Sequence, residues 1–400
     1  LIASISHNHK KLRERCVEFD LPEELKILKQ TVRRFVDAEM IPLEGKSLDG
    51  GKMKPDIREL LEEKAKALGL WLIDVPEEFG GQGLGLAARS VVWEELGRTV
   101  TLPTRGYSIL GPDVRPILYA LEGEMRERYL YPVIRGEKTC CFAQTEPDAG
   151  SDPGSMRTTA ILDGDDYVIN GVKRFITGAD HSDFAQVMAA TDREKGSRGG
   201  ISCFLVDMDT PGIRLGTQYK TFTEEGPWEI VFEDVRVPKG HLVGGEGNGF
   251  RLAQKWLGVG RIKQGSRALG VTERCLELGA GYAKDRVTFG APLSTRQATQ
   301  WKLVDAAVAL QGARLMVYHA AELLDSGADA RLEAYMAKLY CTEMAWKAAD
   351  DCLQIHGGVG LTKDLPVERI WRDQRSHMIT EGTPEMMRMV IARTVIRNTI

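Results

Sequence analysis

Apolar residues in the first third of the chain recur at three- and four-residue spacing. LPEELKILKQTVRRFVDAEMIP (21–42), DIRELLEEKAKALG (56–69), ARSVVWEELGRT (88–99) and GEMRERYLYPVIRG (123–136) each carry an apolar face, which predicts a helical region to about Gly136. From about Cys140 the period changes to two. ILDGDDYVINGVKRFITG (161–178) holds Asp-Gly and Asn-Gly turn signals between alternating runs, and ISCFLVDMD (201–209) and WEIVFEDVRVP (228–238) read as further strands. A small antiparallel β domain is expected, ending near Val243. After GGEGNGF (244–250) the helical period returns over roughly 248–285, 296–325 and 328–356, with a last helix from 384. Long helices with short connections suggest an antiparallel bundle. The expected class is α+β multidomain: an N-terminal helical domain (1–138), a central antiparallel β domain (139–244) and a C-terminal four-helix bundle (245–400).

Composition narrows the function more than the fold. The 400 residues are 43% apolar and 28% charged, a globular chain long enough for two or three domains. A net charge of −4 offers no general attraction to nucleic acid or anionic lipid. The seven cysteines are odd in number and scattered, and Cys140-Cys141 lacks the spacer of a metal knuckle, so a reducing compartment is expected, bacterial cytoplasm or mitochondrial matrix. No apolar run reaches the length of a membrane span, and the opening LIASISHNHKKLRERC has too short an apolar stretch for a secretory signal. Dispersed histidines without a His-x-x-x-His pair give metal catalysis no support.

Of four motif-like segments, two carry candidate chemistry. GLGLAA (83–88) fits a dinucleotide-loop pattern but lacks the flanking strand-helix-strand unit, and GGEGNGF reads as a linker and helix entrance. CFAQTEPDAGSD (141–152) gathers hydroxyl, amide and backbone donors on a loop: Gly150 and Ser151 allow close approach to a phosphate or carbonyl, and Phe142 offers a face to a flat ring. By composition an ordinary inter-domain loop fits this stretch equally well. In MITEGTPEMM (378–387), Thr383 reads as an N-cap with Pro384 at the first helical position, and Glu381 lies just outside. Glu381 is either a surface carboxylate stabilised by the helix dipole or a base held in an apolar pocket.

Four stretches together resemble the acyl-CoA dehydrogenase family, in the family's order and over nearly all of the chain from about Asp20. They are TEPDAGSD (145–152), YAKDRVTFGAPL (282–293), QIHGGVGLTKDLPVERIWRD (354–373) and DQRSHMITEGTPEMMRMVIAR (373–393). The resemblance implies FAD as cofactor and Glu381 as catalytic base. It implies that Phe142, Gln144, Thr145, Gly150 and Ser151, with Phe175, Ile176 and Thr177, line the flavin and ribityl part, and that Thr383 and Glu385 lie on the cofactor side of the base. Where the family often has Trp, this chain has Phe175, and either aromatic can stack. Arg286, Thr288, Phe289, Gln297, Gln354, Gly357 and Gly358 match the segments that reach a neighbouring subunit's FAD. The site is thus completed only in a homo-oligomer, a dimer of dimers. Without its flanking match, Arg286 reads as a solvated arginine at a helix end, and His356 as a helix C-terminal residue favoured by the dipole.

The implied reaction introduces an α,β double bond into an acyl-CoA thioester. Glu381 takes the α proton, the β hydrogen leaves as hydride to flavin N5, and an electron-transfer flavoprotein receives the electrons. The enolate charge is met by the Glu381 N–H and a ribityl hydroxyl. By the same resemblance Ser151 and Gly382 border the thioester and Arg261 lies near the substrate. Gly258 replaces an acidic residue that contacts CoA in well-known members. Arg105 and Arg115, in LPTRGYSILGPDVRP (102–116), are unexpected beside an aliphatic channel; either one pairs with a polar or carboxylate-bearing acyl group, or both face solvent or acidic neighbours. The competing readings are a flavin monooxygenase or oxidase on the same fold and a non-catalytic scaffold, and retention of Glu381 argues against both.

Overall fold

The helical period of the first third folds as α1 (Glu23–Phe35), α2 (Pro55–Ala67), α3 (Leu86–Leu96) and the short α4 (Tyr131–Ile134). The structure, a computed structural model, describes residues 21–106 and 108–399; the opening segment weighed above as a secretory signal lies outside them. α2 starts on a proline and buries Ile57, Leu61 and Ala65, one residue per turn along a single face. A two-stranded hairpin, β1 (Leu48–Asp49) and β2 (Lys52–Met53), joins α1 to α2. α3 is buried nearly all round, Glu94 and Glu95 included. Those two carboxylates form, with Glu273, a cluster of metal-ligating type, but Arg33 bonds both Glu95 and Glu273 and Arg314 both Glu94 and Glu273. The cluster is an ion-pair network tying the N-terminal helices to the bundle.

The central sheet contains β3 (Cys140–Ala143), β4 (Thr159–Asp163), β5 (Asp166–Ile176), β6 (Phe184–Ala190), β7 (Ile201–Asp207), β8 (Ile213–Gln218), β9 (Trp228–Pro238) and β10 (Leu242–Val243). Its order is β10-β7-β6-β4-β5-β9-β8, with β3 on β6. Two expectations change. The sheet is mostly antiparallel, but β3 runs parallel to β6, pairing Phe142 with Gln186. The Asp-Gly signal makes the β4–β5 turn, whereas Asn170-Gly171 lies inside β5 as a bulge opposite β9. Gly171 is needed there because a Cβ would lie 2.4 Å from Thr158 Oγ1. β6 is buried along its whole length, since cores cover both faces of the sheet, and so shows no alternation.

The C-terminal part is built from α5 (Gly249–Asp285), α6 (Gln297–Asp325), α7 (Arg331–His356), α8 (Val367–Ile379) and α9 (Pro384–Thr399). The expected four helices are present, and α8 is a fifth. Alanines at 334, 337, 345, 348 and 349 of α7 let α5 and α6 approach closely around one core. A hairpin of β11 (Val287–Thr288) and β12 (Ala291–Pro292) caps the far end of α5. Among the described residues no helix is long and apolar enough to cross a membrane.

Candidate active site

Glu381 stands between α8 and α9. Thr383 caps α9 as expected, its hydroxyl accepting from the Met386 N–H at 3.4 Å. Glu381 itself has φ 57°, and Gly382 φ 103°. Left-handed geometry is routine for glycine but costs a glutamate about 1–2 kcal/mol, and such outliers cluster at functional sites. The carboxylate oxygen Oε2 is buried with no hydrogen-bond partner. A Cβ on Gly260 of α5 would come within 2.8 Å of that oxygen, so the glycine makes room for it.

The surroundings of this carboxylate are cationic. Arg261, 5% exposed, lies over the Tyr335 ring at 4.1 Å, and Lys338, fully buried, donates to the Gly382 carbonyl. Burial pushes the Arg261 guanidinium below its usual range and brings Lys338 down to about 8, while the Glu381 charge pulls both up. Arg267 and Arg115 also sense that charge. A negative charge at this position therefore lies among cations.

A second segment joins this turn to the β domain. Arg105 bonds Glu225 Oε2 at 3.3 Å, Thr380 Oγ1 at 3.3 Å and the Ser376 hydroxyl. A Cβ on the adjacent Gly106 would meet Thr177 Cγ2 at 3.1 Å. Residues 104–106 thus run from Thr177 to the Glu381 turn. Arg105 and Arg115 each meet an acidic neighbour, Glu225 and, at 2.9 Å, Asp113.

The residues expected along the flavin come from two strand ends brought together. Arg174 N–H donates to the Thr145 carbonyl at 2.7 Å, which sets 142–146 beside 173–177. Gln144 Oε1 is buried without a partner. Phe175, with φ 58° and 49% exposed, packs on Tyr219 while the Arg174 guanidinium lies 4.8 Å from both rings. An unsatisfied amide acceptor beside a presented aromatic fits a flat heterocycle carrying N–H donors. Ile176 is 2% exposed and packed in the sheet core, and Phe142, on β3, is half-buried against the neighbouring core. Gly150 and Ser151 are exposed at the loop tip.

The loop carrying Gln144 and Thr145 is held by a pair that local spacing does not reveal. Lys173 Nζ lies 2.7 Å from Glu146 Oε1 and 3.2 Å from the Gln144 carbonyl, and Glu146 accepts the Arg157 and Thr158 N–H groups. Burial acts to raise the Glu146 carboxyl, but Lys173 and these donors outweigh it and hold it below the usual range. Its stabilising contribution is present above the unfolded pKa of about 4.3 and fades as pH falls through the lower folded value. Glu146→Gln is expected to lower stability by about 3–5 kcal/mol in urea at neutral pH, with the difference from wild type narrowing below about pH 4.

The remaining cofactor candidates gather elsewhere. Arg286, Phe289, Gln297, Gln354, Gly357 and Gly358 are exposed around the β11–β12 hairpin and the α7 C-terminus, where His356 stacks on Tyr282 at 4.5 Å. Thr288 sits in that hairpin, its carbonyl accepting from Arg296 at 2.8 Å. Phe289 is 100% exposed. Arg261 and Arg286 lie on and just beyond α5, 25 residues apart, which is about 38 Å along a helix. One copy of the chain therefore does not bring these residues to its own Glu381. Glu385, exposed in the first turn of α9, lies four residues from the base.

Comparison with known proteins agrees across the whole chain. Residues 22–137, 141–235 and 247–396 match the profiles described as the N-terminal, middle and C-terminal domains of acyl-CoA dehydrogenase. The chain is 39% identical over 386 residues to the human mitochondrial short-chain specific acyl-CoA dehydrogenase, covering 95% of this chain and 92% of that protein. It is 38% identical over 381 residues to a 3-(aryl)acrylate reductase of Clostridium sporogenes, covering 94% and 99%. The solved butyryl-CoA dehydrogenase from Megasphaera elsdenii superposes with a TM-score of 0.82 at 30% identity, covering 95% of this chain and 100% of that one.

Proposed function

The chain belongs to the acyl-CoA dehydrogenase family of FAD-dependent flavoenzymes, and from that membership we propose that it oxidises a short, straight-chain acyl-CoA to its 2-enoyl ester with Glu381 as the α-proton base. The observation that carries the reading is the Glu381 carboxylate, with Oε2 buried and unpartnered on a strained turn beside Arg261 and Lys338. An oxygen with no donor bonded to it is open to accept the α proton of a bound substrate. The short chain is supported by the short-chain specific relative, whose name supplies it.

FAD would be held by Gln144, Thr145, Ser151, Phe175 and Thr177, and when bound it accepts the β hydrogen as hydride. This chain's residues do the rest. Glu381 removes the proton, its own N–H polarises the thioester carbonyl, Ser151 and Gly382 border the thioester, and Arg261 and Lys338 stabilise the charge as it passes to the substrate. The outward-facing group around Arg286 and Phe289 serves the cofactor tail of a second copy, so the working unit is a homo-oligomer. The apolar stripe Trp301, Val304 and Val308 on α6, 61%, 55% and 69% exposed, supplies the surface for such a contact. An electron-transfer flavoprotein is the proposed electron acceptor.

The similarity to a 3-(aryl)acrylate reductase favours a second reading, the same chemistry run toward saturation. Anaerobic mixing with butyryl-, octanoyl- and palmitoyl-CoA tests both. Bleaching of the flavin strongest with butyryl-CoA is expected. Failure of every saturated ester to bleach it, with reoxidation of the reduced protein by an enoyl ester, would establish the reductase reading instead.

A further inference from the structure

The buried face of α7 is a run of small or apolar positions, Ala334, Ala337, Cys341 and Ala345, and Lys338 sits within it at 0% exposure. An ammonium in such a stripe is normally excluded unless it has a specific partner. Its hydrogen bond goes to the Gly382 carbonyl, the residue after Glu381 and the second of two consecutive left-handed residues. The groups facing it are Glu381 from the turn and Arg261 from α5, which itself lies over the Tyr335 ring of α7, while His377 of α8 also feels its charge. No other described side chain bonds to the Gly382 carbonyl.

We propose that Lys338 is a positioning residue for proton abstraction: by holding the Gly382 carbonyl it fixes the strained turn so that the Glu381 carboxylate stays in the place that Gly260 clears for it. This rests on the reading of Glu381 as the base. The turn has no regular secondary structure of its own, and α9 begins only after Thr383. With methionine at 338 the carbonyl loses its donor and the turn can relax toward ordinary backbone angles, carrying the carboxylate with it. Burial brings the lysine pKa to about 8, so the charged anchor weakens as pH rises above that value.

The test uses the purified FAD-loaded protein and butyryl-CoA. For Lys338→Met the limiting rate of anaerobic bleaching is expected to fall about 10- to 100-fold, with FAD content unchanged and the half-saturating ester concentration within about threefold of wild type. Lys338→Gln, which can still donate to the carbonyl without charge, is expected to recover part of that loss. Its rate should also lack the decline expected of wild type between about pH 7 and pH 10. A Lys338→Met rate within about twofold of wild type overturns the proposal, as does a loss matched by lost FAD, which marks a merely structural role. Should Lys338→Met fail to fold, an alkaline decline in Lys338→Gln identical to wild type, or no decline in wild type, overturns it equally. Absence of bleaching in wild type with every saturated ester, together with no reoxidation of the reduced protein by an enoyl ester, overturns the reading of Glu381 itself, and this proposal with it.

Discussion

Glu381→Gln is expected to lower kcat/KM on butyryl-CoA by about 10²- to 10⁴-fold while the protein stays yellow. The substitution keeps the shape of the side chain and the backbone N–H, so the turn, the Gly260 clearance and the thioester contact survive. What disappears is the oxygen that accepts the proton, and glutamine presents in its place a buried amide with no partner for one end. The segments proposed to hold FAD, at Gln144, Thr145, Phe175 and Thr177, lie on the β domain, away from the 381 turn in sequence. Rate and cofactor content should therefore separate. Glu381→Asp should also be impaired, because Glu381 already sits at φ 57° between fixed neighbours and the turn has little freedom to advance a shorter carboxylate. A glutamine variant with the wild-type bleaching rate would remove Glu381 from the chemistry.

Placing aspartate at both Val304 and Val308 is expected to yield a smaller particle that has lost its flavin. Both valines are exposed on the same stripe of α6 as Trp301, and an interface closing over two new carboxylates would have to desolvate them without partners. Because the Arg286 cluster lies about 38 Å along α5 from Arg261, the cofactor would lose its tail contacts when the copies separate. Arg286→Ala is the matched control. It should keep the oligomer and weaken FAD binding by about 10- to 100-fold, the loss of charge-assisted hydrogen bonds to a pyrophosphate. Light scattering and flavin absorbance on the same samples check both variants. A monomeric double variant with full flavin content would show that one copy suffices.

Periodicity alone laid out the helix–strand–helix succession, because apolar spacing reports which face of each element is buried. Thr383-Pro384 was readable as a helix start for a local reason, the cap and the missing N–H of proline. Lys338 is 44 residues from the carbonyl it holds, and Gly260 is 121 residues before the carboxylate it clears. Neither pairing leaves a mark in local spacing. A signal for Lys338 does exist: a lysine at a core position of an otherwise apolar helical stripe requires a partner. The parallel β3–β6 pair was hidden because strand direction depends on how the chain crosses over, and the bulge at Gly171 because an Asn-Gly pair serves turns and bulges alike. The pairing of Arg105 with Glu225 joins two loops, and only the folded chain shows that a protein carboxylate already meets that guanidinium.

The most direct measurement of the role assigned to residue 381 is the rate of anaerobic flavin bleaching by butyryl-CoA deuterated at the α carbon, in wild type and in Glu381→Gln. Slower bleaching of wild type with the labelled ester, and almost none in the glutamine variant with either ester, is the expected result. Equal rates for labelled and unlabelled ester, together with undiminished bleaching in the variant, would contradict it.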